Sequence, residues 1–132
     1  PLWLAYCHCK SCRRPTASPV TLFFGAKVET VRWLGSDPAT YESSPGVTRS
    51  FCSRCGTPIC YAIADRPDEL DFYHGTLDRP ELVSPLDVEG GRHVFVGEQI
   101  SWFEVRDALP RYEATSREGT APIRYGPRPA DT

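Results

Sequence analysis

The sequence predicts an all-β domain built mainly from antiparallel strands, and three observations lead there. Prolines number 13 and glycines 10 in 132 residues, about one position in six against roughly one in eight on average. The longest stretches free of both, Leu2 to Arg14 and Glu98 to Leu109, are each barely one average helix long, which argues against a helical bundle. Short β-type runs recur instead between turn signals. One domain is the natural count at this length, large enough for a modest core and small enough to gain from covalent or metal cross-links.

In chain order the runs are Leu2 to Cys9, Val20 to Phe24, Val28 to Leu34, Ile59 to Ile63, Leu70 to His74 and His93 to Val96. Alternation of apolar and polar residues is clearest in Val28 to Leu34 and Leu70 to His74, the pattern of strands with one buried and one wet face. Between the runs, Gly35-Ser36-Asp37-Pro38, Ser43-Ser44-Pro45-Gly46 and Glu89-Gly90-Gly91 favour turns. The tail from Ala114 to Thr132, broken by Pro and Gly and poor in apolar residues, reads as extended or loosely ordered. There is no internal repeat.

Net charge is -2 and the isoelectric point about 5.9. The 15 Lys and Arg are scattered rather than gathered on a stripe, so no electrostatic footprint for nucleic acid is expected. The opening PLWLAYCHCK is too short and too polar for a signal or membrane-spanning segment, no other run is apolar for long enough, and the compartment expected by default is the cytoplasm.

The six cysteines fall in two blocks, Cys7-His8-Cys9-Lys10-Ser11-Cys12 and Cys52-Ser53-Arg54-Cys55-Gly56, with Cys60 just after the second. Disulfides are disfavoured, because nothing points to secretion and cysteines two or three residues apart make strained or reactive bridges. Zinc accounts better for the clustering, since thiolates near a divalent cation deprotonate and bind it tetrahedrally. With Cys7 and Cys9 on one strand, their side chains share a face and His8 takes the other. Cys12 then folds back to give a third sulfur, and three protein ligands leave the open position of a catalytic zinc. The C-x-x-C-G block is a pincer whose Gly56 permits the positive φ such turns use, and alone it supplies half of a closed site. The residues leave three arrangements open: three plus three ligands, a closed site of four with two left over, or a three-ligand site beside half of another. Cys60, inside an apolar run, reads as a core residue.

Arg13 and Arg14 flank the third thiolate and are candidates for binding carboxylates by charge and bidentate geometry. His8, His74 and His93 are expected in structural places, and Trp3, Trp33 and Trp102 in the core or over the zinc-bearing strands.

Cys7-His8-Cys9-Lys10-Ser11-Cys12-Arg13-Arg14, followed by Phe51-Cys52-Ser53-Arg54-Cys55-Gly56-Thr57-Pro58, resembles the glutathione-dependent formaldehyde-activating enzyme family, which includes centromere protein V. Gly75-Thr76-Leu77-Asp78, His93-Val94-Phe95-Val96, Trp102 and Asp107-Ala108-Leu109-Pro110-Arg111-Tyr112 resemble the family's later segments in order. The resemblance implies a β-tent fold with short helical or irregular connections over residues 1–113. It also implies a catalytic zinc on Cys7, Cys9 and Cys12, and half of a structural zinc site on Cys52 and Cys55. The family's further C-x-C, ahead of the catalytic block, has no counterpart here. The expectation is therefore that the sequence lacks the N-terminal segment of its domain, the alternative being a structural site lost or rebuilt with Cys60. The activity implied is a carbon–sulfur lyase type, joining glutathione and formaldehyde into S-hydroxymethylglutathione. The competing reading is a non-catalytic, zinc-stabilised binding module, because a fold does not determine activity.

Overall fold

The computed structural model describes residues 1–84 and 91–116. Seven strands form one sheet: β1 (Trp3–Cys7), β2 (Thr21–Lys27), β3 (Ala39–Ser44), β4 (Val47–Phe51), β5 (Pro58–Ile63), β6 (Glu69–Tyr73) and β7 (Arg92–Val94). Their order across the sheet is β3-β4-β5-β6-β2-β1-β7. Every neighbouring pair is antiparallel except β1 with β7, which run parallel. Among the described residues one α-helix, α1 (Lys10–Thr16), follows β1, and the other helical segments are single 3-10 turns. The all-β, mainly antiparallel architecture expected from the sequence is what the chain adopts.

Register divides the sheet into two chemically distinct faces, because successive strand residues point to opposite sides. Ala5 pairs with Phe23, Phe23 with Tyr73, and Cys7 with Thr21 on one side and Val94 on the other. Tyr61 pairs with Asp71. These residues share a face, on which Phe23, Tyr73, Cys7, Cys9 and Cys12 form a buried cluster with Trp3, Tyr61, Val94 and Phe95 packed around it. The opposite face carries Leu4, Phe24, Phe72 and Cys60, in the registers Leu4 to Phe24, Phe24 to Phe72 and Cys60 to Phe72.

The β-type runs at Val20, Ile59, Leu70 and His93 become β2, β5, β6 and β7 with small changes of boundary, and the turn at Ser43 to Gly46 joins β3 to β4. Three readings are corrected. The run Leu2 to Cys9 stops being a strand at Cys7, because Cys9 caps α1 with extended dihedrals and accepts the backbone N–H groups of Cys12 and Arg13. The run Val28 to Leu34 is not a strand: it starts with a 3-10 turn, Val28–Thr30, and then crosses without regular structure. Its apolar residues do not line a buried face, since Leu34 is 91% exposed, while Trp33 lies against Phe72 with ring centroids 6.4 Å apart. Trp102 is 73% exposed and so neither fills the core nor covers the sheet. The sequence reading also omitted β3 and β4, a hairpin exposed along most of β3.

The outer edge of β7 is paired by the segment that follows it. His93 N–H donates to Pro110 O, Tyr112 N–H to His93 O and Phe95 N–H to Ala114 O, at 2.8, 2.9 and 2.8 Å. The pairing occupies backbone groups that would otherwise stand open for another chain. Beyond Ser116 the expected tail lies outside the described residues, as do Glu89 and Gly90 of the third turn.

Phe23 is 1% exposed and packs edge-on against Tyr61 and at 4.6 Å against Tyr73. Phe23→Ala is expected to cost about 3–5 kcal/mol, read as a fall in the urea midpoint with the slope unchanged.

Candidate metal centre

Cys7 ends β1, Cys9 caps α1, and Cys12 lies in the first turn of that helix. The corner between strand and helix, rather than strand alternation, brings the sulfurs together. All three residues are buried and their ligand atoms lie within 4.8 Å of one another, with Cys7 and Cys9 Sγ 3.3 Å apart. Tetrahedral zinc–thiolate bonds of about 2.3 Å would separate ligand sulfurs by about 3.8 Å. The helix is short, with Pro15 near its end, and it closes through Thr16 Oγ1, which donates to Cys12 O at 2.7 Å, and through Ala17 in the left-handed region at φ 52°.

The sulfurs titrate together. Hydrogen bonds from Cys12 and then Cys7 hold the Cys9 thiol down at about 3. Hydrogen bonds to Cys12 and Cys9, followed by burial, push Cys7 up. Cys12 is drawn down by Cys7, but its bond to Cys9 and its burial carry it up to about 12. A divalent cation would bind the sulfurs as thiolates and displace the protons they carry. Donor chemistry and spacing both fit a metal ion.

Two polar groups flank the trio, and the sequence reading singled out neither as functional. Arg49 of β4 is 5% exposed; its Nη1 donates to Tyr73 Oη at 2.7 Å, its Nε to Ser43 Oγ at 3.1 Å, and its Nη2 lies 4.0 Å from Cys12 Sγ. On the other side His8, fully buried, places Nε2 2.9 Å from His93 Nδ1, and His93 Nε2 lies 2.8 Å from Asp107 Oδ2. The carboxylate fixes the tautomers: His93 donates from Nε2 to Asp107, so its Nδ1 accepts the Nε2–H of His8. His8 N–H also donates to Val94 O at 3.1 Å, so the residue between two candidate ligands is tied to β7 by backbone and side chain. His8 and His93 therefore have the structural placement expected for them, as does His74, whose ring nitrogen bonds Val83 O at 2.5 Å. Asp107 was legible as part of the family resemblance, whereas nothing in the sequence marked Arg49.

Cys52 and Cys55 lie in the turn between β4 and β5. Gly56 has φ 76° and its N–H donates to Cys52 O at 2.8 Å, the turn foreseen for the pincer. The Cys55 thiol is lowered by its contact with Thr57 Oγ1 at 3.0 Å. Among the described residues the only group of three or more candidate ligands is Cys7, Cys9 and Cys12, so this pair has no third partner there. Cys60 is 1% exposed, in register with Phe72 on the face opposite the trio, a core position as expected. Arg13 and Arg14 lie in the last turn of α1 and line, with Lys10 and the exposed Trp102, a groove of about 560 Å³.

A Rhodobacter sphaeroides protein, whose crystal structure was solved as a Northeast Structural Genomics target, has a similar fold. The TM-score is 0.51 at 19% sequence identity, over 69% of this chain and 80% of that one. At that identity the likeness is one of fold: an all-β domain with a thiol-rich corner is the class of molecule this is. The glutathione-dependent formaldehyde-activating enzyme family matches residues 1–98, and the chain belongs to that family. No protein of curated function matches it significantly. No helix among the described residues is long and apolar enough to cross a membrane.

Burial, followed by the neighbouring His93, holds the His8 imidazole down at about 4 from an ordinary 6.5. A group lowered on folding contributes stability that is complete above its free value and is lost as pH falls through its folded value. For His8 that contribution is about 3 kcal/mol, complete above pH 6.5 and lost as pH falls through about 4. Proton NMR is expected to show a His8 ring resonance that stays flat from pH 8 to about 5; titration near the free value would contradict the buried pair.

Proposed function

We propose that this chain is a zinc-dependent enzyme of carbon–sulfur lyase type that joins a thiol to an aldehyde. By its family, the pair is glutathione and formaldehyde and the product S-hydroxymethylglutathione. The observation that carries the reading is the buried trio Cys7, Cys9 and Cys12, drawn from one short segment and closely spaced. A closed structural site takes four protein ligands, whereas three leave a position for substrate. In the overall reaction the thiol gives up its proton, sulfur attacks the carbonyl carbon, the C=O π pair moves to oxygen, and oxygen takes up a proton. Zinc, when bound, would supply a position at which the thiol is held ionised more than strong polarisation of the aldehyde, because three thiolates already donate charge to it.

The rest is the work of the chain. Cys7, Cys9 and Cys12 hold the metal; His8, through His93 and Asp107, holds the corner on which two of them stand. Arg13 and Arg14 offer guanidinium groups from the helix that carries Cys12 for the carboxylates of a glutathione-like thiol. Residues 1–113 are read as the zinc-binding domain, with Cys52 and Cys55 as half of a second, structural zinc site.

Cys9→Ala is expected to remove one metal per chain, by elemental analysis, while the sheet's far-ultraviolet signal is retained. The loss of metal affinity should exceed the roughly 10–100-fold typical of changes one shell further out. Global unfolding would instead favour a purely structural metal and the binding-module reading. Exchange between free formaldehyde and its glutathione adduct, followed by NMR, should be faster than the uncatalysed background with the wild type; no enhancement would sink the named activity.

A further inference from the structure

Two adjoining grooves, of about 460 and 420 Å³, share Pro15, Tyr41 and Arg49 in their walls. Together they make one trough between α1 and the β3–β4 hairpin, with Ser11 and Arg14 at one end and Tyr73 at the other. Arg49 is its common element and stands between the trough and the trio, with Nη2 4.0 Å from Cys12 Sγ. A guanidinium has five N–H donors, and the oxygen partners of Arg49 are the neutral hydroxyls of Ser43 and Tyr73. Among the described residues no carboxylate pairs with it. A buried cation whose oxygen partners are neutral hydroxyls, facing sulfur on one side and space for a ligand on the other, still has N–H groups to offer an arriving carboxylate. The other charged side chains lining the trough are Arg14 and Glu42.

We infer that Arg49 is a specificity-determining residue: it binds the carboxylate of an incoming thiol in the trough and so places the thiol sulfur beside Cys7, Cys9 and Cys12. The inference rests on the reading of the trio as a metal centre that takes a thiol. It adds the route of approach and the residue that selects an acidic thiol over a neutral or basic one. Tyr73 and Ser43 hold the guanidinium from the sheet side, and the Tyr61 ring, with its centroid 5.1 Å from the Arg49 guanidinium carbon, supports it by a cation–π contact.

The test uses the full chain loaded with cobalt and titrated with three thiols of similar size: 3-mercaptopropionate, 2-mercaptoethanol and cysteamine. The visible absorption of the metal reports binding. In the wild type the carboxylate is expected to bind at least about tenfold more tightly than the alcohol, and the ammonium most weakly. Arg49→Gln should abolish the preference while 2-mercaptoethanol still binds, and Arg49→Lys should keep the order with a smaller span. Equal affinities in the wild type, a measurement that needs no variant to fold, would overturn the inference. So would a preference unchanged in Arg49→Gln, or one that disappears in Arg14→Gln instead. If no thiol alters the spectrum of the wild type, the thiol-binding reading of the metal centre fails as well, an outcome distinct from equal binding by all three.

Discussion

Three thiols share one dry corner at the end of β1, and their ionisation is a joint property. Burial opposes charge, while hydrogen bonds among the sulfurs hold Cys9 down and Cys7 up, so no one of them titrates independently of the others. Phe23 and Tyr73 share one buried cluster with the sulfurs, and Val94 and Phe95 pack against it. The central strands of the sheet can be read as the platform for this corner: β1 carries Cys7, β2 and β6 supply the aromatic floor, and β7 fixes the backbone at His8.

The two sides of the corner are built on opposite principles. On one, His8 donates to His93 and His93 to Asp107, and both imidazoles are held below their ordinary range. Burial is the leading cause of the shift in both rings, so charging either one is opposed. On the other side Arg49 is charged, buried and held by neutral hydroxyls, an arrangement that responds to an arriving anion. The imidazole chain ties the trio's segment to β7, and Arg49 faces both Cys12 and the trough.

How much of this could be read in advance depended on sequence distance. The trio was legible because its members are close together in the chain, and the pincer turn at Gly56 because C-x-x-C-G constrains its own backbone. Strands with a buried face, such as Ile59 to Ile63 and Leu70 to His74, were legible from their apolar pattern. The hairpin of β3 and β4 was not, since most of β3 is exposed and its residues carry no burial signal. The alternation in Val28 to Leu34 misled for the converse reason: Trp33 and Leu34 have strand-like spacing but lie in an irregular crossing. α1 was missed because seven residues with a proline near the end leave little helical period to detect. Arg49 reaches Cys12 across 37 positions and the two histidines meet across 85, separations that no local pattern encodes.

The segment that carries all three sulfurs has a consequence for how the molecule is made. Closing a chain loop costs entropy that grows with the logarithm of its length, and the loops linking Cys7, Cys9 and Cys12 are among the shortest a chain can form. The sheet, by contrast, pairs Ala5 with Arg92 and Tyr6 with His93, contacts that wait for most of the chain to be present. The sulfurs can therefore gather around a cation while the rest of the polypeptide is still being synthesised. A metal captured at that stage would act as an early nucleus that fixes the turn from β1 into α1, and the late-arriving strand β7 would then seal a centre that is already loaded.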